Sequence, residues 1–101
     1  MTKFINCTPH AIVLNDGRVF DPSGSVARVS SSTTDFIDDV CETVYGELAG
    51  VPDPIYGVKY IVSAMVLNAS TRTDLVAPAT GHVDTVRNDK GHIVSVPGFT
   101  R

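Results

Sequence analysis

The sequence predicts a small α+β fold: a mainly antiparallel β domain of about six short strands, barrel- or sandwich-like, with one or two short helices. Three observations carry that expectation. Short alternating apolar segments recur along the chain. Turn-forming clusters such as Asn15-Asp16-Gly17, Asp21-Pro22-Ser23-Gly24 and Asn88-Asp89-Lys90-Gly91 separate them at close intervals. Only one long apolar run exists, Tyr60 to Leu67, so a single element is expected to form the buried centre. At 101 residues the chain is read as a single domain over residues 1–101 with room for one modest core.

Taken in order, residues 3 to 7 alternate as a strand, which Thr8-Pro9-His10 then kinks. Pro9 has no N–H for a ladder and holds Thr8 extended. Ala11 to Leu14 and Arg18 to Phe20 flank Asn15-Asp16-Gly17, residues that tolerate positive φ, and so predict a hairpin. Ser25 to Val29 alternates as a further strand, and Ser30 to Thr34 reads as a polar loop. Residues 35 to 44 place Phe36, Ile37, Val40 and Val44 at helical spacing behind a Thr34 or Asp35 cap, which predicts a helix. A hairpin is the rival there, because Val40, Thr43, Val44 and Tyr45 favour strands. Gly50-Val51-Pro52-Asp53-Pro54 is a surface loop. Tyr60 to about Ser63 predicts a buried strand, and the better helix formers Ala64, Met65, Leu67 and Ala69 predict one or two helical turns ending near Ser70. Val83 to Arg87 and Ile93 to Val96 predict a C-terminal hairpin, with Phe99 tucked back as an apolar anchor.

The totals exclude several classes of function. An apolar fraction of 43% and a positive mean hydropathy describe a folding chain. Net charge is −3 and the basic residues are scattered, without the basic and aromatic interleaving that nucleic acid requires, so no nucleic-acid partner is expected. No apolar stretch approaches the roughly eighteen residues of a membrane span, so no membrane association is expected. Cys7 and Cys41 lack zinc-ligand spacing, and no pair of histidines has it on one element. The start, MTKFINCTPH, has no apolar leader, which fits reduced thiols in a cytoplasmic protein. No metal and no cofactor are expected.

Two kinds of chemistry compete for the remaining polar residues. Cys7 and His10 could form a nucleophile and base, but no third group to orient them is evident. Ser23-Gly24, with Thr8 and Thr80-Gly81, could offer hydroxyl and backbone donors to an anion. Arg28, Arg72 and Arg87 carry guanidinium forks that suit phosphate or carboxylate, or else salt bridges with Asp74, Glu47 or Asp84. The candidate ligand-binding set is therefore Thr8, His10, Ser23, Gly24, Arg28, Arg72, Asp74, Thr80 and Arg87. No residue is assigned a catalytic role. Asp35, Asp38, Asp39 and Glu42 form an acidic patch, read as a solvated helix face.

Together, NCTPHAI, PSGSVARV, YGEL, YIVSAMV, RTDLVAPATG and the closing VRNDKGHIVSVPGF resemble a family of small phage and prophage proteins of uncharacterised function, over about residues 4 to 99. The segment SSSTTDFIDDVCETV departs from the β-rich form of that pattern. The positions recurring in it are Asn6, Thr8, Pro9, His10, Ser23, Gly24, Arg28, Ser63, Arg72, Asp74, Pro78, Thr80, Gly81 and Arg87. The resemblance implies a phage setting, in the cytoplasm of an infected or lysogenic host, rather than an activity. In that setting three functions are open. The first is a non-enzymatic counter-defence protein that sequesters a small phosphorylated or nucleotide-derived immune signal, in the manner of a sponge and as a homo-oligomer. The second is an interaction module that binds and inhibits a host protein. The third is a small hydrolase using Cys7 and His10, with Asp74 as a candidate third group.

Overall fold

Ten short strands and one helix succeed one another along residues 2–101, the extent described by the structure, a computed structural model. They are β1 (Lys3–Asn6), β2 (Ile12–Val13), β3 (Val19–Phe20), β4 (Arg28–Thr33), β5 (Thr43–Ala49), β6 (Val58–Ile61), α1 (Ala64–Ala69), β7 (Leu75–Pro78), β8 (Val86–Arg87), β9 (Ile93–Ser95) and β10 (Phe99–Thr100). Four of them form the central sheet in the order β1-β6-β7-β10. β1, β6 and β7 run parallel, and β10 closes the edge antiparallel to β7. The other six pair as antiparallel hairpins, β2-β3, β4-β5 and β8-β9. The fold is thus α+β and mainly antiparallel, as expected. The sheets stay open, which corrects the expectation of a barrel, and the strands outnumber the expected six.

The long apolar run splits where its composition changes. Tyr60, Ile61 and Val62 are fully buried at the middle of the sheet. Ser63 then caps α1, its side chain accepting the Val66 N–H, and Ser70 ends the helix. Because successive strand residues face opposite ways, the sheet carries a core on each side. Tyr60, Val62 and Leu75 join Cys7 and Val66 on the α1 side. Ile61 and Val76 join Ile12, Leu14 and Val96 on the other. Phe4, Phe20 and Phe99 pack against the second core, with ring centroids 4.8 to 5.8 Å apart. Phe99 does tuck back.

The Thr8-Pro9-His10 kink is held by a buried side chain. Asn6 is 2% exposed. Its amide donates to the carbonyls of His10 (2.8 Å) and Phe20 (2.9 Å), and its oxygen accepts from the Thr8 N–H (2.9 Å) and hydroxyl (2.6 Å). All four hydrogen-bonding positions of the amide are filled.

The middle segment corrects the sequence reading most. Residues 35 to 44 form no helix, and Ser30 to Thr34 is largely strand. β4 and β5 make one long hairpin arm whose end is a two-residue turn: Ile37 and Val40 exchange backbone hydrogen bonds across Asp38 (φ 52°) and Asp39 (φ 68°). Two successive left-handed residues match the twist of a hairpin, and aspartate tolerates that conformation. An amphipathic helix needs a surface to cover, and none lies beneath these residues. Phe36, Ile37 and Val40 are 72%, 75% and 64% exposed. Only the base of the arm is anchored, where Val29 and Leu48 pack on the α1-side core.

Candidate functional site

The parallel strands β1, β6 and β7 end at one edge of the sheet. There the chain leaves β1 through Thr8-Pro9-His10 toward β2, which packs on one face. It leaves β6 through Ser63 into α1, which packs on the other. Where neighbouring parallel strands send their connections to opposite faces, a crevice opens beyond their carboxyl ends, the place where open α/β sheets bind ligands.

Such a crevice is present. It measures about 370 Å³ and is floored by Ile12 and Val96. Thr8, His10 and Ser63 stand where β1 and β6 end, Pro78 and Thr80 where β7 ends, and Ile93 and Val94 form the far wall. The lining is largely apolar, with hydroxyls and one imidazole as polar groups. Its size falls in the range of small-molecule sites. Some of those polar groups are already engaged. The Thr8 hydroxyl bonds within the Asn6 network, and Ser63 Oγ accepts from Val66 at 3.3 Å. Ser95 Oγ donates to Asn15 Oδ1 at 2.6 Å. The His10 ring and the Thr80 hydroxyl enter no hydrogen bond among the described residues, so both are free for a ligand.

Of the nine residues expected to bind a ligand, three line this crevice: Thr8, His10 and Thr80. Arg87 stands behind it, donating to the carbonyls of Gly91 (3.0 Å) and Thr80 (3.4 Å). Ser23 and Gly24 form an exposed turn on which the Ser23 N–H donates to the Asn6 carbonyl. Arg28 opens β4 at the base of the arm, exposed and paired in register with Ala49. None of the crevice lining comes from these three. Ser63 was not among the residues expected to bind a ligand, because its position depends on which strands run parallel.

Arg72 and Asp74 turn out to serve the fold. Arg72 Nε and Nη2 meet the two Asp74 carboxylate oxygens at 2.9 and 2.6 Å, and Nη2 also donates to the Pro52 carbonyl at 2.9 Å. The guanidinium lies 5.7 Å from the centroid of the Tyr60 ring, and the Tyr60 hydroxyl donates to the Asp53 carbonyl. This cluster ties the Pro52-Asp53-Pro54 loop to the sheet. The Arg72 hydrogen bonds hold the Asp74 carboxyl below the usual carboxylate range against the opposing effect of burial. A hollow of about 460 Å³ lies beside Arg72 and Arg101, but the Arg72 fork is already filled by Asp74. The three arginines are not brought together: Arg72 lines that hollow, Arg87 braces the crevice loop, and Arg28 lies on the arm.

No hydrogen bond joins Cys7 to His10 among the described residues. Cys7 is 1% exposed, and burial pushes its thiol up, with Ser23 and Arg72 pulling weakly the other way. A buried, protonated thiol is a poor nucleophile. No helix among the described residues is long and apolar enough to cross a membrane. No protein-family model, curated protein or solved structure matches the chain.

Proposed function

We propose that this protein captures and sequesters a small phosphorylated or nucleotide-derived ligand in the crevice without altering it. The observation that carries this reading is the crevice itself, at the carboxyl ends of β1 and β6, with an unengaged imidazole and hydroxyl facing an apolar wall. A planar base would lie against Ile93, Val94 and Pro78, and a sugar or phosphate would meet His10 and Thr80. Arg87, which donates to the Thr80 carbonyl, adds positive charge on that side. The buried Cys7 thiol supports capture without turnover. The resemblance to small phage proteins supports a counter-defence role, with an immune signal as the ligand sequestered.

The test is a thermal-shift panel of cyclic and linear nucleotides and ADP-ribose derivatives. A ligand that binds only the folded chain raises Tm by mass action, by about 2.7 kcal/mol of stability at a hundredfold excess over Kd. The shift should disappear in His10→Ala and in Ala64→Leu, which fills the crevice, and the ligand should be recovered intact. An altered ligand would point to a hydrolase instead. A panel with no shift would sink the proposal.

A further inference from the structure

The arm leaves the protein with an unfinished surface. A two-stranded ribbon is barely stable alone in water, yet Ser30 to Glu47 stand clear of the body, and Phe36, Ile37, Val40, Val44 and Tyr45 are all exposed. The chain's radius of gyration is 15.5 Å, against about 13 Å for a compact domain of this length. Charge is divided the same way. Between Arg28 and Lys59 there are six acidic residues and no lysine or arginine; all eight basic residues lie outside that stretch.

These observations select an occupant. Two arms would repel each other, since each carries five acidic residues and no basic one between Ser30 and Glu47, so arm-to-arm pairing is disfavoured. The arm does not cover its own crevice: no arm residue lines it, and the arm's base packs on the α1-side core while β2 and β9 contribute to the crevice from the opposite face. A second copy offers both complements at once. Its body carries eight basic residues against five acidic ones, and its crevice mouth exposes Val13, Ile93 and Val94, with Arg87 and Lys90 outnumbering Asp89 on the same hairpin as Ile93.

We infer that the hairpin arm of one copy lays Phe36, Ile37 and Val40 across the crevice mouth of a second copy. The acids around the turn then face the basic body, and the site gains its missing wall. Reciprocal exchange about a two-fold axis, or a closed ring, docks every arm. The part played in ligand capture rests on the reading above; the docking does not.

The test begins without ligand. Purified protein carrying Phe36→p-benzoylphenylalanine is irradiated and the cross-linked peptides are mapped, while sedimentation reports the oligomer. Cross-links to residues 10–13 or 93–96 of another copy are expected. Phe36→Asp with Ile37→Asp should abolish the oligomer, and so should Val94→Arg from the other side, with circular dichroism unchanged. A wild-type monomer at high protein concentration would overturn the inference, as would cross-links confined to the arms, or an arm that cross-links only a foreign protein in host lysate. If docking is found but no nucleotide shifts Tm, the ligand reading fails and the docking stands.

Discussion

At the scale of single residues, the polar side chains with the most partners hold the backbone in place. Asn6 satisfies four backbone and hydroxyl groups at the kink, and so sets where Thr8 and His10 stand in the crevice. Arg72 and Asp74 do the same for the Pro52 loop. Their side chains are only 25% and 15% exposed, so solvent screens the pair less than it would at the surface. The linkage to pH follows from the sign of the shift. With its folded-state pKa depressed, Asp74 contributes stability that is fully present above the ordinary carboxylate pKa, near about pH 4, and is lost as pH falls through its lower folded value. Asp74→Asn is expected to lower stability at neutral pH by about 2 kcal/mol and to flatten the acid limb, measured by urea titration across pH. Sequence reasoning paired Arg72 with Asp74 as one possibility but could not choose it over a ligand. The choice depends on the Pro52 carbonyl, twenty residues away, which completes the fork.

At the scale of elements, hairpins with strong turn chemistry were legible. Asn15-Asp16-Gly17 and Asn88-Asp89-Lys90-Gly91 both sit at hairpin ends, with Gly17 and Gly91 at positive φ. The arm was the harder case. Asp38-Asp39 is a weaker turn signal than Asn-Gly, and Phe36, Ile37, Val40 and Val44 satisfy a helical spacing equally well. Nothing local states that no core lies beneath them. The base of the arm has a sharper requirement. Gly50 has φ 82°, and a Cβ there would collide with the Val26 carbonyl. Gly50→Ala should therefore cost at least about 1 kcal/mol in denaturant unfolding, against the usual small gain of Gly→Ala at a permissive site. The helix over Ala64–Ala69 was recognisable because good helix formers follow directly on a β-prone strand, and the structure adds the Ser63 cap.

At the scale of the whole molecule, the class of the fold was legible, but the parallel pairing of β1, β6 and β7 was not. Short turns advertise antiparallel neighbours, whereas the pairing of Lys3 with Val58 spans most of the chain and leaves no local mark. The crevice depends on that pairing, so only fragments of it (Thr8, His10, Thr80) could be picked out in advance. Whether Arg28, Arg72 and Arg87 meet was undetermined by the sequence for the same reason.

The long-range pairing and the arm have a joint consequence for how the protein folds and how its length can change. Closing β1 onto β6 encloses the arm within the loop, yet Arg28 and Ala49 already lie side by side when the arm zips up. The entropy of closure is then set by the segments outside the arm. A chain with residues 31–45 replaced by an Asn-Gly turn should keep its sheet and refold, in stopped-flow mixing, within about twofold of the full chain, since closure entropy changes only logarithmically with loop length. A change of about tenfold would show that the arm takes part in the rate-limiting step. An element that is silent in folding can lengthen, shorten or change its tip while the body keeps the same route to its native state.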